Sequence, residues 1–236
     1  MDATDSFTDP DNRLLHNHTM NSGHAWLRGS GVTTSCELLT GQCKDQSGNA
    51  PVYYCSALKE SADYDVQADI TAPTSSGEVN GRQDPNAVTR YAALYVSGAT
   101  EWRLVKVVAG VTTTLATYVG DVPSTTRTVK LQVLDATKKL FIDGVDRAST
   151  TDNAITAAGR AGLRGSGITT DRIDNWISTN SIPPDGGGMA DDRYRFRSSQ
   201  LWSGTSTLGT KRACWPDDAR DFGRRDSVAD NVSRSV

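Results

Sequence analysis

The feature that most constrains this chain is a period of two. Tyr64-Asp65-Val66-Gln67-Ala68-Asp69-Ile70 alternates apolar and polar residues without a break. Successive side chains of an extended strand point to opposite faces, so Tyr64, Val66, Ala68 and Ile70 share one face. Such a strand has one face in a core and one in water. The same pattern returns downstream. Tyr91 to Val96 is a short apolar run, and Trp102 to Val108, Leu115 to Val119 and Arg127 to Leu134 are rich in Val, Thr and aromatic residues. Within the last of these, Val129, Leu131 and Val133 fall on one face, and Thr128, Lys130 and Gln132 on the other. Asp143-Gly144 lies between Leu140-Phe141-Ile142 and Val145. Asp-Gly between apolar residues predicts a hairpin, because a type I′ turn needs positive φ at both central positions. No stretch of ten or more residues carries a sustained apolar stripe of helical period. Many short strands with frequent turns predict an all-β antiparallel sandwich or barrel.

The chain has 236 residues and a formal net charge of −3. That length suffices for one sizeable domain with an appendage. The charge argues against nucleic acid as a partner, since proteins that track phosphate backbones carry a basic excess. No run of about 18 apolar residues exists, so no membrane insertion is expected. The opening Met1-Asp2-Ala3-Thr4-Asp5 has neither the basic nor the apolar part of a secretory signal. The expectation is that the protein stays in the producing cell until assembly or lysis, or that an upstream signal has been removed. Cys36, Cys43, Cys55 and Cys214 fit no common zinc spacing. They read either as free thiols or as a loop disulfide, Cys36–Cys43 or Cys43–Cys55.

Residues 25–34 read AWLRGSGVTT and residues 161–170 read AGLRGSGITT. The likeness stops at the segment ends, so this is no repeat array. It predicts equivalent strand-turn positions, one near each end of the sandwich. In a jelly roll the first and last strands commonly lie side by side. After Thr179 the pattern changes. Ile182-Pro183-Pro184-Asp185-Gly186-Gly187-Gly188 is a breaker cluster. The reading is a sandwich over 1–182, a Pro/Gly linker over 183–190 and an Arg/Asp-rich arm over 191–236. The arm has too few aliphatic residues for a core of its own. It reads as disordered or as a docking arm.

Four places resemble the concanavalin A-like lectin/glucanase superfamily, above all the laminin-G-like domains in virion proteins of tailed bacteriophages. They are Asp5-Ser6-Phe7 with His18-Thr19 and Gly23-His24-Ala25-Trp26; Trp102-Arg103-Leu104-Val105-Lys106-Val107; Val129 to Leu134 with Leu140-Phe141-Ile142-Asp143-Gly144-Val145; and Ala158-Gly159-Arg160-Ala161-Gly162-Leu163 with Ile173-Asp174-Asn175-Trp176. The resemblance covers roughly residues 5–178. It implies a two-sheet antiparallel jelly-roll β-sandwich whose relatives bind glycans, mediate attachment or serve as structural modules. Fold does not choose among these.

Candidate sites follow. Glycoside hydrolysis needs two carboxylates across the scissile bond. The glucanase pattern E-x-D-x-x-E is absent, and Glu37, Glu60, Glu78 and Glu101 lie far apart. Asp63, Asp65 and Asp69 read as a solvated face. No catalytic residue is assigned, and the chain reads as non-enzymatic. His16, His18 and His24 sit in a polar loop, with His16 and His18 a weak metal pair. No G-x-S-x-G nucleophile elbow occurs. The resemblance implies a calcium held by Asp5 on the first strand and Asp174 on the last. Trp102 and Trp176 read as core rather than as sugar-stacking residues, so the ligand-binding residues stay unknown. The expected role is a virion structural or attachment module. Its partners would be other virion proteins, reached through the C-terminal arm, and host surface glycans, and homo-oligomer formation stays open. A free-standing extracellular lectin module is the alternative, with a glycoside-active enzyme behind it.

Overall fold

A computed structural model describes residues 2–46, 48–71 and 77–181. The linker over 183–190 and the arm over 191–236 lie outside the described residues. In chain order the strands are β1 (Ala3–Asp5), β2 (Trp26–Arg28), β3 (Cys36–Leu39), β4 (Gln42–Asp45), β5 (Val52–Cys55), β6 (Tyr64–Thr71), β7 (Glu78–Gln83) and β8 (Arg90–Val96), followed by β9 (Glu101–Val108), β10 (Val111–Val119), β11 (Arg127–Leu134), β12 (Thr137–Ile142), β13 (Val145–Thr151), β14 (Arg160–Arg164) and β15 (Arg172–Asn180). They form two antiparallel sheets. The eight-stranded sheet runs β13-β12-β11-β6-β15-β4-β3, with β1 also paired to β15. The seven-stranded sheet runs β10-β9-β8-β7-β14-β5-β2. This is the two-sheet jelly-roll sandwich that the family resemblance implies. No helix among the described residues is long and apolar enough to cross a membrane.

The period-two segments supply the core. Tyr64, Val66, Ala68 and Ile70 of β6 are fully buried, as are Val129, Leu131 and Val133 of β11. The two strands pair Ala68 with Val129 and Val66 with Leu131, so their apolar faces coincide. Opposite them the seven-stranded sheet contributes Val79, Tyr91, Tyr95, Trp102, Leu104 and Leu163. Burying each large apolar side chain contributes roughly 1.5–3 kcal/mol. Trp26, Trp102 and Trp176 are all buried, the first and last meeting edge to face at 4.8 Å. Both tryptophans weighed as sugar-stacking candidates are therefore core. Asp143 (φ +51°) and Gly144 (φ +79°) form the predicted hairpin turn between β12 and β13.

The echoed segments do occupy related places: β2 and β14 flank β5 on its two sides. They are not side by side, and they are one residue out of step. Leu27 pairs with Tyr54, whereas Leu163 pairs with Tyr53. A one-residue slip exchanges the faces of a strand. Trp26 thus enters the core while its counterpart Gly162 faces outward, and Leu27 is 39% exposed while Leu163 is buried. The first and last strands, β1 and β15, are neighbours as expected, pairing Asp5 with Trp176. Cys36, Cys43 and Cys55 are buried free thiols. Cys214 lies outside the described residues.

One end of the sandwich is closed by charge rather than by apolar side chains. Lys138 projects inward from β12 and is fully buried. Its Nζ donates to the carbonyls of Asp135 (2.7 Å) and Asp152 (2.9 Å) and stands 4.7 Å from the centre of the Tyr91 ring. Arg82 beside it donates to Ile155 O, Ala62 O and Asp135 O, so three loop segments meet on two cations.

Candidate functional site

A sandwich strand has one face in the core, so ligands meet the outward faces. On the eight-stranded sheet those polar groups satisfy one another. Asp65 accepts from Gln132 (3.1 Å) and pairs with Lys130 (3.4 Å), and Asp69 accepts from Thr128 (2.6 Å) and Asn175 (2.9 Å). The aspartates read as a solvated face are thus tied across strands.

The seven-stranded sheet differs, and the difference begins at β7. Its sequence Glu78-Val79-Asn80-Gly81-Arg82-Gln83 is mostly polar, yet every residue is buried. Val79 and Gly81 face the core; a Cβ on Gly81 would meet Leu131, Tyr64 and Val133 of the opposite sheet. Alternation then sends Glu78 and Asn80 outward. Asn80 lies between Gly162 on β14 and Ala92 on β8. Gln83 comes to the same spot, its Oε1 2.7 Å from where a Cβ on Gly162 would stand. Gly162 is required here, because that Cβ would also lie 2.2 Å from the Tyr53 carbonyl. Arg160, two residues earlier on β14, stacks on the Tyr54 ring at 5.5 Å.

Both amides are fully buried, and among the described residues neither the nitrogen nor the oxygen of either has a partner, nor does the Nε of Arg160. More than nine in ten buried polar groups find one. Each that does not costs about 1–3 kcal/mol. Five such atoms lie on β7 and β14, and no other described residue satisfies them.

The same face carries a groove of about 160 Å³. Leu94, Val105 and Val107 give its apolar floor, and Glu78, Arg90, Arg103, Arg164, Thr112 and Thr114 its polar walls. The register explains the grouping: Arg164, Glu78, Leu94 and Arg103 fall on one cross-strand row over β14, β7, β8 and β9. Arg90 holds Glu78 Oε1 through Nε (3.0 Å) and Nη2 (2.9 Å), and Arg164 reaches Glu78 Oε2 (3.4 Å). Burial pushes the Glu78 carboxyl up, but the two guanidinium groups outweigh it and hold it below the usual range. Glu78 is therefore a fixed carboxylate, not a proton donor at neutral pH.

The residues singled out from sequence lie elsewhere. Asp5 is buried on β1. It accepts from Phe7 N (3.0 Å), His18 Nε2 (2.8 Å) and Trp26 Nε1 (2.6 Å), so both its oxygens are engaged. Asp174, on the neighbouring strand, accepts from Asn175 N (2.7 Å) and distantly from Gln42 (3.5 Å). Among the described residues no three His, Cys, Asp or Glu side chains converge on a common metal position. Calcium, which takes about six to eight oxygen ligands, would have to displace His18 and Trp26 from Asp5. His18 departs from the polar-loop reading. It is 4% exposed and clamped between Asp5 and Asp9, whose Oδ2 is 2.6 Å from its Nδ1. Burial alone would lower its pKa, but the two carboxylates prevail and raise it. Sequence reasoning did not find Asn80, Gln83, Gly162, Arg103 or Arg164 as site residues. The available signal was β7 itself, a polar segment between two hydrophobic strands.

No protein-family profile matches the chain, and no curated protein matches its sequence. Solved structures do match. The carbohydrate-binding module CBM66 from Bacillus subtilis superposes with a TM-score of 0.57 at 19% identity, over 66% of this chain and 95% of its own. A Bacillus licheniformis beta-glucanase gives 0.53 at 10% identity, over 74% and 100%. The exoplasmic/lumenal domain of VIP36, in a Ca²⁺/mannose-bound form, gives 0.51 at 8% identity, over 68% and 85%. The chain has the concanavalin A-like jelly-roll fold.

Proposed function

We propose that this chain is a non-catalytic carbohydrate-binding module that uses the outward face of its seven-stranded sheet. The observation that carries the reading is the patch of unpaired amide atoms on Asn80 and Gln83 beside the groove. Sugars present vicinal hydroxyl groups that both donate and accept, and an amide offers both roles in one side chain. The groove is large enough for about one sugar ring, with an apolar floor for its carbon face and threonine hydroxyls at the rim. The Arg160–Tyr54 stack near the amides, which is not part of the groove lining, would move aside to admit a hydroxyl to them. Two of the similar structures carry carbohydrate binding or mannose in their names, which is consistent with this reading. Against hydrolysis stands the carboxylate count. The groove lining holds only Glu78, neutralised by Arg90, whereas glycosidases flank the bond with two carboxylates of differing pKa. The virion setting, with host surface glycans as ligands and neighbouring virion proteins as partners of the arm, rests on the family resemblance and belongs to the same proposal.

The test is binding of the full chain to a panel of bacterial surface polysaccharides, with calcium and with chelator. Saturable binding that Thr114→Trp abolishes, at unchanged thermal stability, is expected. Binding that survives Thr114→Trp would move the site to another face, and no binding to any glycan would overturn the proposal. Binding that persists with chelator would remove calcium at Asp5 and Asp174 from it.

A further inference from the structure

We infer that the saccharide taken by this groove is acidic, its carboxylate, sulfate or phosphate substituents paired by the free guanidinium N–H groups of Arg103 and Arg164; the inference rests on the glycan-binding reading above. The groove lining holds three guanidinium groups, Arg90, Arg103 and Arg164, against one carboxylate, Glu78. Their commitments differ. Arg90 is used up: Nε and Nη2 hold Glu78, and Nη1 donates to the Ala87 carbonyl at 2.7 Å. Its charge and that of Glu78 cancel inside the wall.

Arg164 and Arg103 are not used up. Arg164 donates from Nε to the Ala50 carbonyl (3.2 Å) and from Nη1 to Glu78 (3.4 Å), and its Nη2 has no partner among the described residues. Arg103 pairs only through Nε, with Glu101 at 2.5 Å, and both its terminal nitrogens are free among the described residues. Both side chains are about one-third exposed, 34% for Arg164 and 33% for Arg103. They bracket the row that also holds Glu78 and Leu94. Three strand spacings separate them, roughly 14 Å at the backbone, the reach of a short oligosaccharide.

Two features of the groove select the ligand class. First, a guanidinium fork matches the two oxygens of a carboxylate, sulfate or phosphate, and such charge-assisted pairs are about twice as strong as neutral ones. Second, a neutral sugar seated on the floor would strip water from the free terminal N–H groups of Arg103 and Arg164, and its hydroxyls would return only neutral hydrogen bonds to donors that carry charge. An acidic sugar returns charge-assisted ones. A free polyanion would satisfy the arginines but leave the apolar floor and the amides of Asn80 and Gln83 unused.

The experiment uses the full chain and an array of acidic oligosaccharides, each beside its neutralised counterpart: uronic-acid oligomers with their methyl esters, sulfated oligomers with their desulfated forms. Affinities of the best binders follow by calorimetry at low and high salt, with poly-aspartate as an anion that lacks a sugar ring. The expected result is an acidic best binder whose neutral counterpart is weaker by about 10- to 100-fold. Arg103→Gln should cause a loss of the same size at unchanged thermal stability, and Arg103→Lys should recover part of it. A neutral best binder, or one indifferent to Arg103→Gln, overturns the inference; if Thr114→Trp still abolishes that binding, the glycan-binding reading survives. Equal competition by poly-aspartate overturns the saccharide part. No saccharide binding of either kind overturns both readings together.

Discussion

Replacing Lys138 by methionine should flatten the dependence of stability on pH above neutrality. Lys138 is fully buried, and its ammonium meets two backbone carbonyls and the Tyr91 ring. Burial, with the charge of Arg82 beside it, lowers its pKa from the usual 10.5 to about 8. The folded pKa lies below the unfolded one, so between pH 8 and 10.5 the unfolded chain binds more protons. Stability therefore rises with pH across that window and falls as pH drops through 8. At roughly 1.4 kcal/mol per tenfold change in proton affinity, keeping Lys138 charged at pH 7 costs about 3 kcal/mol, of which about 2.5 kcal/mol is recovered by pH 10. The buried phenols act in the opposite sense. Burial pushes Tyr53 and Tyr91 up to about 12, so their contribution is complete below pH 10 and is lost above it. These groups are common to parent and variant and cancel in the difference. Methionine keeps the length of the side chain while removing the charge. The assay is urea unfolding of both proteins at unit steps from pH 7 to 10. The parent should gain about 2–3 kcal/mol relative to Lys138→Met over that range. Parallel curves would refute the reasoning, because Lys138 would then titrate alike in both states.

Three further outcomes are expected. His18, raised by Asp5 and Asp9, contributes stability below pH 6.5 that is lost as pH rises through its folded pKa; His18→Gln should lack this dependence, and an imidazole NMR titration at the ordinary value would contradict the clamp. Gly162→Ala should destabilise by about 3 kcal/mol or more, read by urea midpoint, because the new Cβ would collide with the Tyr53 carbonyl backbone; a neutral effect would mean β14 can shift. Asn80→Leu should leave stability unchanged or raise it by about 1–2 kcal/mol, since no hydrogen bond is lost, while weakening glycan binding; a clear destabilisation would show that the amide is paired.

The sequence by itself determined the parts of this protein that depend on alternation. The faces of β6 and β11 and the hairpin at Asp143-Gly144 follow from period two and from turn stereochemistry, which act over a few residues; the core positions of Trp102 and Trp176 follow from the tendency of a Trp in a sandwich strand to be buried. The family resemblance added the expectation that β1 and β15 are neighbours, through the jelly-roll topology it implies. What only the tertiary structure decided is how those strands are set beside one another. The echo at 25–34 and 161–170 is a near-identity in letters, yet a one-residue slip across β5 puts Trp26 in the core and Gly162 on the outer face. His18 sits among polar residues in the chain, but folding brings Asp5 and Asp9 to its two nitrogens. The candidate site was the least legible part. Arg164, Glu78, Leu94 and Arg103 come from four strands, and apart from the polar run of β7 that carries Glu78 nothing local distinguishes them from ordinary exposed residues. Cross-strand register makes them one row. Register is set by the burial of whole faces, a property of the assembled sheet and not of any single strand.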